Sequence, residues 1–379
     1  MKYHRARFGV SLRSAALPLT GLALLLTATG AFAHPQFTPF LTQAHTISVV
    51  ASTVPANGDI NPYGVAVIPQ STGNLIAGNV LVSNFNNATN AQGTGTTIVQ
   101  VSPGGAVSQF AHITLPSSAC PGGVGLTTAL GVLKRGWVIV GSLPTADGTA
   151  ATSGAGCLIV LNSVGKVVET FSDANLNGPW DMAIADNGSS AALFVTNVLN
   201  GTVAAGGAIV HGGTIVRIDL AVPFQGGKAP HELGETVIGS GFPERTDPAA
   251  LVIGPTGLAV SGGTLYVADS LDNRIAAIAN ALTISTSAGV GMDVSVGGAL
   301  NDPLGLTVMP NGDLVAVNGA DGKAVEVTPG GAQVAVRVLD NTVTRGGKNG
   351  GGALFGLAPQ PGGGLYFVDD NTNTLNLLH

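Results

Sequence analysis

"GPTGLAVSGGTLYVADSLDNRIAAIAN", residues 254–280, decides the fold. It starts with the turn pair Gly254-Pro255 and runs into an apolar strand. It reverses at Gly262-Gly263, returns through residues 264–269, and reverses again at Asp272-Asn273 into a third strand. Short Val, Ile and Tyr runs between Gly and Asn turns are the mark of antiparallel hairpins. The question is whether this meander stands alone.

It does not. Residues 301–331, "NDPLGLTVMPNGDLVAVNGADGKAVEVTPGG", follow the same plan. So do residues 61–69, 79–87 and 96–105, "NPYGVAVIP", "NVLVSNFNN" and "TTIVQVSPGG". Residues 178–201, 120–144 and 353–379 supply three more copies. Gly64, Gly125, Asp181, Gly257, Gly305 and Gly356 occupy one position of the pattern. A unit of roughly 50 residues built only of short strands is a β-propeller blade. The expectation is an all-β, six-bladed propeller, with longer spacings absorbed by loops at 145–156, 201–213 and 221–247. Outer strands are expected at 106–112, 166–172, 235–240, 292–298 and 333–339. The sixth copy has none, because the chain ends at His379. Residues 45–52, "HTISVVAS", are expected to complete it and close the ring, since an open ring leaves two bare sheet edges.

The opening stretch resembles an NHL repeat through Pro255, Gly257, Tyr266, Val267, Asp269, Asn273, Arg274 and Ile275. The other blades match more loosely, and none repeats the Asn-Arg pair. The resemblance implies a six-bladed propeller and leaves the activity open, because such propellers host binding modules and enzymes alike.

Propeller topology gathers second-strand ends and first-strand starts on one face, here called the top. Those positions hold Asn84, Asn197, Asp269, Asn318 and Asp369, then Asn61, Asn177 and Asp302, with Asp181 just inside the channel. Hard oxygen donors of this kind suit Ca²⁺ or another divalent cation, and Asn61, Asp181 and Asp302 are the candidate ligands. Asp and Asn at strand ends also bond their own turns, and Asp269 is placed to pair with Arg274. Trp180 stands at the channel mouth, as a ligand contact or as packing between blades. Trp137 reads as core.

Enzymatic signatures are thin. The similar gluconolactonase-type propellers hold a divalent metal with a Glu, Asn and Asp set, and strictosidine-synthase-like propellers rely on a channel Glu. Glu169, Glu232, Glu235, Glu244 and Glu326 all lie away from first-strand starts. The His residues lie singly, without metal-ligand spacing. A Gly-x-Ser-x-Gly nucleophile elbow is absent. Cys120 and Cys157 both fall at the top of the second blade and are expected to form a disulfide pinning the 145–156 loop.

The first 33 residues read as a secretory leader. Lys2, Arg5, Arg7 and Arg13 precede an apolar run that ends in the small-x-small triplet Ala31-Phe32-Ala33. A linker at 34–44 then leads to one domain at 45–379. Export to the periplasm or medium fits the cysteine pair. The chain has 15 Lys+Arg against 21 Asp+Glu, and losing a basic leader makes it more acidic still. Phosphate binding needs clustered positive charge, so nucleic acid is excluded as a partner. No second apolar run is long enough to span a bilayer. The sequence alone favours a binding or scaffolding module whose top loops dock a protein or small ligand. The alternative is a metal-dependent lactonase or lyase with a divalent ion in the channel.

Overall fold

The computed structural model describes residues 38–248, 250–342 and 350–379, with residues 1 and 9. The leader and the start of the linker therefore lie outside the described residues. Residues 38–379 form one compact unit. A single helical turn, α1 (Phe40–Gln43), precedes β1 (Ile47–Ser52). Blade one is β2 (Ile60–Val67), β3 (Val80–Asn86), β4 (Thr97–Val101) and β5 (Val107–His112). Blade two is β6 (Leu126–Val132), β7 (Val138–Ser142), β8 (Cys157–Leu161) and β9 (Val167–Phe171). Blade three is β10 (Pro179–Asp186), β11 (Ser190–Asn197), β12 (Val210–Ala221), β13 (His231–Asp247) and the short β14 (Leu251–Ile253). Blade four is β15 (Pro255–Ser261), β16 (Thr264–Asp269), β17 (Arg274–Ile278) and β18 (Met292–Val296). Blade five is β19 (Pro303–Val308), β20 (Leu314–Asn318), β21 (Lys323–Val327) and β22 (Gln333–Val338). Blade six is β23 (Leu354–Pro359), β24 (Leu365–Asp369) and β25 (Thr374–Leu378).

Six antiparallel sheets, in which strands pair in sequence order except that β1 joins β25, make a six-bladed β-propeller. The ring closes as the repeat arithmetic requires. β1 lies antiparallel to β25, with Ile47 opposite Leu378 and Ser52 opposite Thr374. The N–H groups of His45 and Thr46 both donate to the His379 carbonyl. The 34–44 segment is not wholly a linker. The N–H groups of Phe40 and Leu41 donate to the two carboxylate oxygens of Glu326, each at 2.7 Å, which fastens α1 to blade five.

Burial follows the layering. Middle strands such as β4, β7 and β8 lie between two neighbouring blades and are buried throughout, so they read as unbroken apolar runs. The outermost β22 alternates half-buried and exposed residues, the period-two pattern of a strand with one wet face. Inner strands crowd together around the axis. A methyl group at Gly257, Gly305 or Gly356 would run into the backbone of the next inner strand, which only glycine permits.

Two details differ from the sequence reading. The region at 221–247 is largely strand, not loop, whereas 201–209 is the expected loop and β12 begins at Val210. β12 and β13 pair from Val210 opposite Glu244 to Ala221 opposite His231, because β-branched residues such as Ile215, Val216, Thr236 and Val237 sustain the ladder. In blade two, Leu126 stands opposite Ser142, so the residue level with Gly64 is Thr128, three positions beyond Gly125.

Candidate functional site on the propeller axis

The second-strand ends form a level of their own. Asn84, Asn197, Asp269, Asn318 and Asp369 stand opposite Pro62, Pro179, Pro255, Pro303 and Leu354. All five are buried, and each engages nearby groups. Asn84 Nδ2 donates to the Thr53 carbonyl at 3.0 Å. Asn197 Oδ1 accepts from Gly178 N–H, Asn318 Oδ1 from Asn301 N–H, and Asp369 Oδ1 from Thr372 N–H. Asp269 is clamped by Arg274 at 2.9 Å, and Arg274 reaches Asp293 at 2.6 Å. These side chains hold strand ends and turns.

One residue above the prolines of blades one and five, Asn61 and Asp302 adopt left-handed backbone, with φ of 59° and 56°. Asn and Asp tolerate that region better than other side chains. Asn61 Nδ2 donates to Asp370 Oδ2 at 3.1 Å, and Asp302 N–H donates to Asn273 Oδ1 at 2.7 Å. Burial, followed by the charge of Asp369, pushes the Asp370 carboxyl up to about 8.

Asp181 lies two residues below its own proline, so it stands three positions lower than Asn61 and Asp302. At ~3.3 Å per residue that is about 10 Å along the strand. Between the two levels sits an aromatic plug. Tyr63 stacks on Phe85 at 4.4 Å and on Phe355 at 3.8 Å, with Trp180 tilted against Tyr63 and Phe355 at 6.3 and 6.2 Å. The hairpin from blade three covers the plug. Ala250, Leu251, Val252 and Ile253 pack into the same apolar cluster, and Trp180 Nε1 donates to the Val252 carbonyl at 3.0 Å. Trp180 is thus packing between blades in this closed arrangement.

Below the plug, the axis holds a cavity of about 170 Å³. All six inner strands line it, through residues such as Val65, Thr128, Leu258, Leu306 and Leu357, and Thr307 and Pro359 carry it to the lower ends of β19 and β23. Asp181 is the one ionisable group in this lining. Its Oδ2 accepts from Leu258 N–H on the next blade at 2.8 Å, while its own N–H donates to Thr196 Oγ1. The carboxyl faces the cavity yet is deep in the protein. Burial pushes it up to about 7, against the smaller opposing effect of the Leu258 and Met182 N–H groups. It can therefore exchange a proton near neutrality.

Sequence reasoning did not single out a second polar group at the top of blade three. Glu244 is completely buried, and neither of its oxygens has a hydrogen-bond partner. Burial pushes its carboxyl up to about 8; the nearby Asn200 N–H opposes this but does not complete a hydrogen bond. Asn177 Nδ2 donates to Asn200 Oδ1 at 2.5 Å, leaving Asn177 Oδ1 and Asn200 Nδ2 unpaired. No local motif marks Glu244, because its neighbours come from the fold-back of the hairpin. On the outside, Asp173, Glu232 and Glu235 bring carboxylate oxygens within 4.8 Å of one another. Burial first, then Asp173, raises the Glu235 carboxyl. A larger cavity of about 360 Å³ lies at the ring-closure seam, between α1, Met309 and His379, away from every carboxyl held near neutrality. The Cys120–Cys157 disulfide is present, with Cα atoms 5.5 Å apart. No described helix is long and apolar enough to cross a membrane.

No family model matches the chain, and no curated protein matches it. The NHL resemblance therefore rests on the residues of blade four alone. Solved structures do match. A gluconolactonase from Xanthomonas campestris aligns at TM-score 0.51 and 13% identity, over 89% of this chain and 90% of its own. A luciferin-regenerating enzyme aligns at 0.52 and 10%, over 88% and 94%. The PQQ-bound aldose sugar dehydrogenase of Streptomyces coelicolor aligns at 0.50 and 16%, over 88% and 98%. Likeness at such identities concerns the fold. The chain is a six-bladed β-propeller whose structural neighbours include a gluconolactonase and related propeller enzymes.

Proposed function

We propose that this protein is an exported propeller enzyme of the lactonase class, acting on small cyclic esters with Asp181 as general base. One observation carries the reading: a single carboxyl, held at about 7, projects into a cavity built by all six blades. A catalytic acid or base works best when its pKa lies near the working pH, and burial is how proteins bring a carboxyl there. The rest of the lining is mostly apolar, which sets the size and polarity of the guest. A cavity of about 170 Å³ compares with the ~150 Å³ engineered cavity that holds benzene. A five- or six-membered ring is the substrate scale. In its ionised form Asp181 takes a proton from the water that attacks the ring carbonyl; the tetrahedral adduct then collapses with cleavage of the ring C–O bond, and the proton passes from Asp181 to the leaving alkoxide to give the open hydroxy acid. Leu258 N–H, bonded to Oδ2, fixes the direction of the carboxylate.

The gluconolactonase-type neighbour lends class-level support. A metal in the axial cavity does not fit the donors there. Asp181 is the lone carboxylate among the described lining residues, and Asn61 and Asp302 stand beyond the aromatic plug. No step is routed through a metal at that point. The cavity is also too small for the quinone cofactor of the Streptomyces neighbour. The docking face that a scaffold would offer is occupied at its centre by the chain's own hairpin. The basic leader and the disulfide support export.

The test is turnover of a panel of five- and six-membered lactones by purified protein and by Asp181→Asn. Hydrolysis by the parent, with kcat reduced about 100-fold or more in the variant at unchanged melting temperature, supports the reading. Absence of turnover across the panel, or equal rates in the two proteins, overturns it.

A further inference from the structure

Glu244 presents a physical problem. A carboxylate with no exposed surface and no partner on either oxygen is costly in free energy unless something neutralises it. No Lys or Arg side chain forms an ion pair with it among the described residues. Oxygen atoms gather around it instead. A methyl group built on Gly212 would collide with both the Asn200 carbonyl oxygen and Glu244 Oε1. The absent side chain at 212 is what lets those two oxygens face one small volume. Asn200 then bonds to Asn177, whose Oδ1 is left unpaired. Exchanging N and O in both amides reverses their hydrogen bond and still leaves one amide oxygen of the pair free.

We propose that Glu244, Asn200 and Asn177 hold a divalent cation of the calcium type. Ca²⁺ takes six to eight oxygen ligands from carboxylates, side-chain amides and backbone carbonyls in flexible geometry, which is the mixture this corner offers. The ion joins three segments: β13 through Glu244, the loop after β11 through Asn200, and the entry to β10 through Asn177. Glu244 lies at the base of the β13–β14 hairpin that covers the aromatic plug, so the ion fixes that hairpin over the axis. The site is separate from the exposed Asp173, Glu232 and Glu235 group. It does not depend on the chemistry assigned to Asp181.

The experiment is calorimetric titration of chelator-treated full-length protein with CaCl₂, with thermal melts in parallel. Parent protein, Glu244→Gln, Asn177→Ala and the outer-face control Glu232→Gln are compared. The expected result is one ion per chain for the parent and the control, with a melting temperature that climbs as Ca²⁺ is added. Glu244→Gln loses binding, and Asn177→Ala weakens it at least 10-fold. If Glu244→Gln does not fold, Asn177→Ala alone decides. A parent that binds no Ca²⁺ overturns the proposal and makes Glu244 a buried neutral acid. Ion binding that survives both substitutions, or is lost in Glu232→Gln, overturns it equally and moves the ion elsewhere.

Discussion

Blades three and four are neighbours in one ring, yet they handle buried charge in opposite ways. Blade four keeps the short repeat. Its buried Asp269 meets Arg274, and Arg274 goes on to Asp293 and to the Val290 carbonyl. Blade three departs from the repeat with β12, β13 and the added β14. There the unpaired atoms collect: both oxygens of Glu244, Asn177 Oδ1, Asn197 Nδ2 and Asn200 Nδ2. Asp181, the axial carboxyl, belongs to the same blade. Blade four sets its buried acid against a cation and leaves only Asp269 Oδ1 over among its buried side-chain atoms in the described residues. The irregular one leaves both oxygens of its buried acid without a hydrogen-bond partner, and departures from local consistency concentrate at functional sites.

The sharpest way to break this contrast is to make blade four resemble blade three. Arg274→Ala strands Asp269 in a fully buried position, and breaking a buried pair from one side costs about 3–5 kcal/mol. Chemical denaturation should show a loss of that size. A loss under 1 kcal/mol would mean that the blade-four pair contributes little and that the comparison has no energetic basis.

Blade two supplies the next test. The Cys120–Cys157 bridge spans 37 residues and ties the start of the blade to β8. Replacing both cysteines by alanine should lower stability by about 2–4 kcal/mol, as should reduction of the parent. The same denaturation experiment with and without reductant reads it.

The last test concerns Glu244 itself in chelator-treated protein. Its folded carboxyl titrates near 8, whereas an unfolded glutamate titrates near 4.3. Between those values the folded chain holds a proton that the unfolded chain releases, so this group makes stability fall as pH rises. Glu244→Gln removes that fall. Measured without Ca²⁺, the variant should be no more stable than the parent at pH 4 and should gain on it steadily as pH rises from 5 to 9. A parallel pair of pH profiles would deny that Glu244 is buried unpaired.

Much of the ring was legible in the sequence because blade formation is local. A Pro or Gly turn, an apolar strand and an Asn or Asp strand end recur with every copy, and the unpaired sixth copy points to residues 45–52 as its missing strand. The cysteine pair was legible for the same reason, since strand order alone puts both residues on one face. The site was legible only in part. Asp181 stands out because the repeat pattern carries Gly at its position in the five other copies, although the structure puts Thr128 at that level in blade two. Its separation from Asn61 and Asp302 was hidden, since it depends on Tyr63, Trp180 and Phe355 meeting across three blades. Glu244 was hidden more deeply. Its surroundings arise from one long hairpin, β12 with β13, folding back beside the loop after β11 of the same blade, and no short-range pattern encodes that.

The function proposed for this protein turns on whether the axial carboxyl of blade three does chemistry. The most direct measurement is the pH dependence of kcat/KM for a small lactone, with parent protein and Asp181→Asn side by side. The account expects the parent rate to rise with an apparent pKa near 7 and the variant to show neither the rate nor that inflection. A parent profile that is flat from pH 5 to 9, or an inflection that persists in Asp181→Asn, would contradict it.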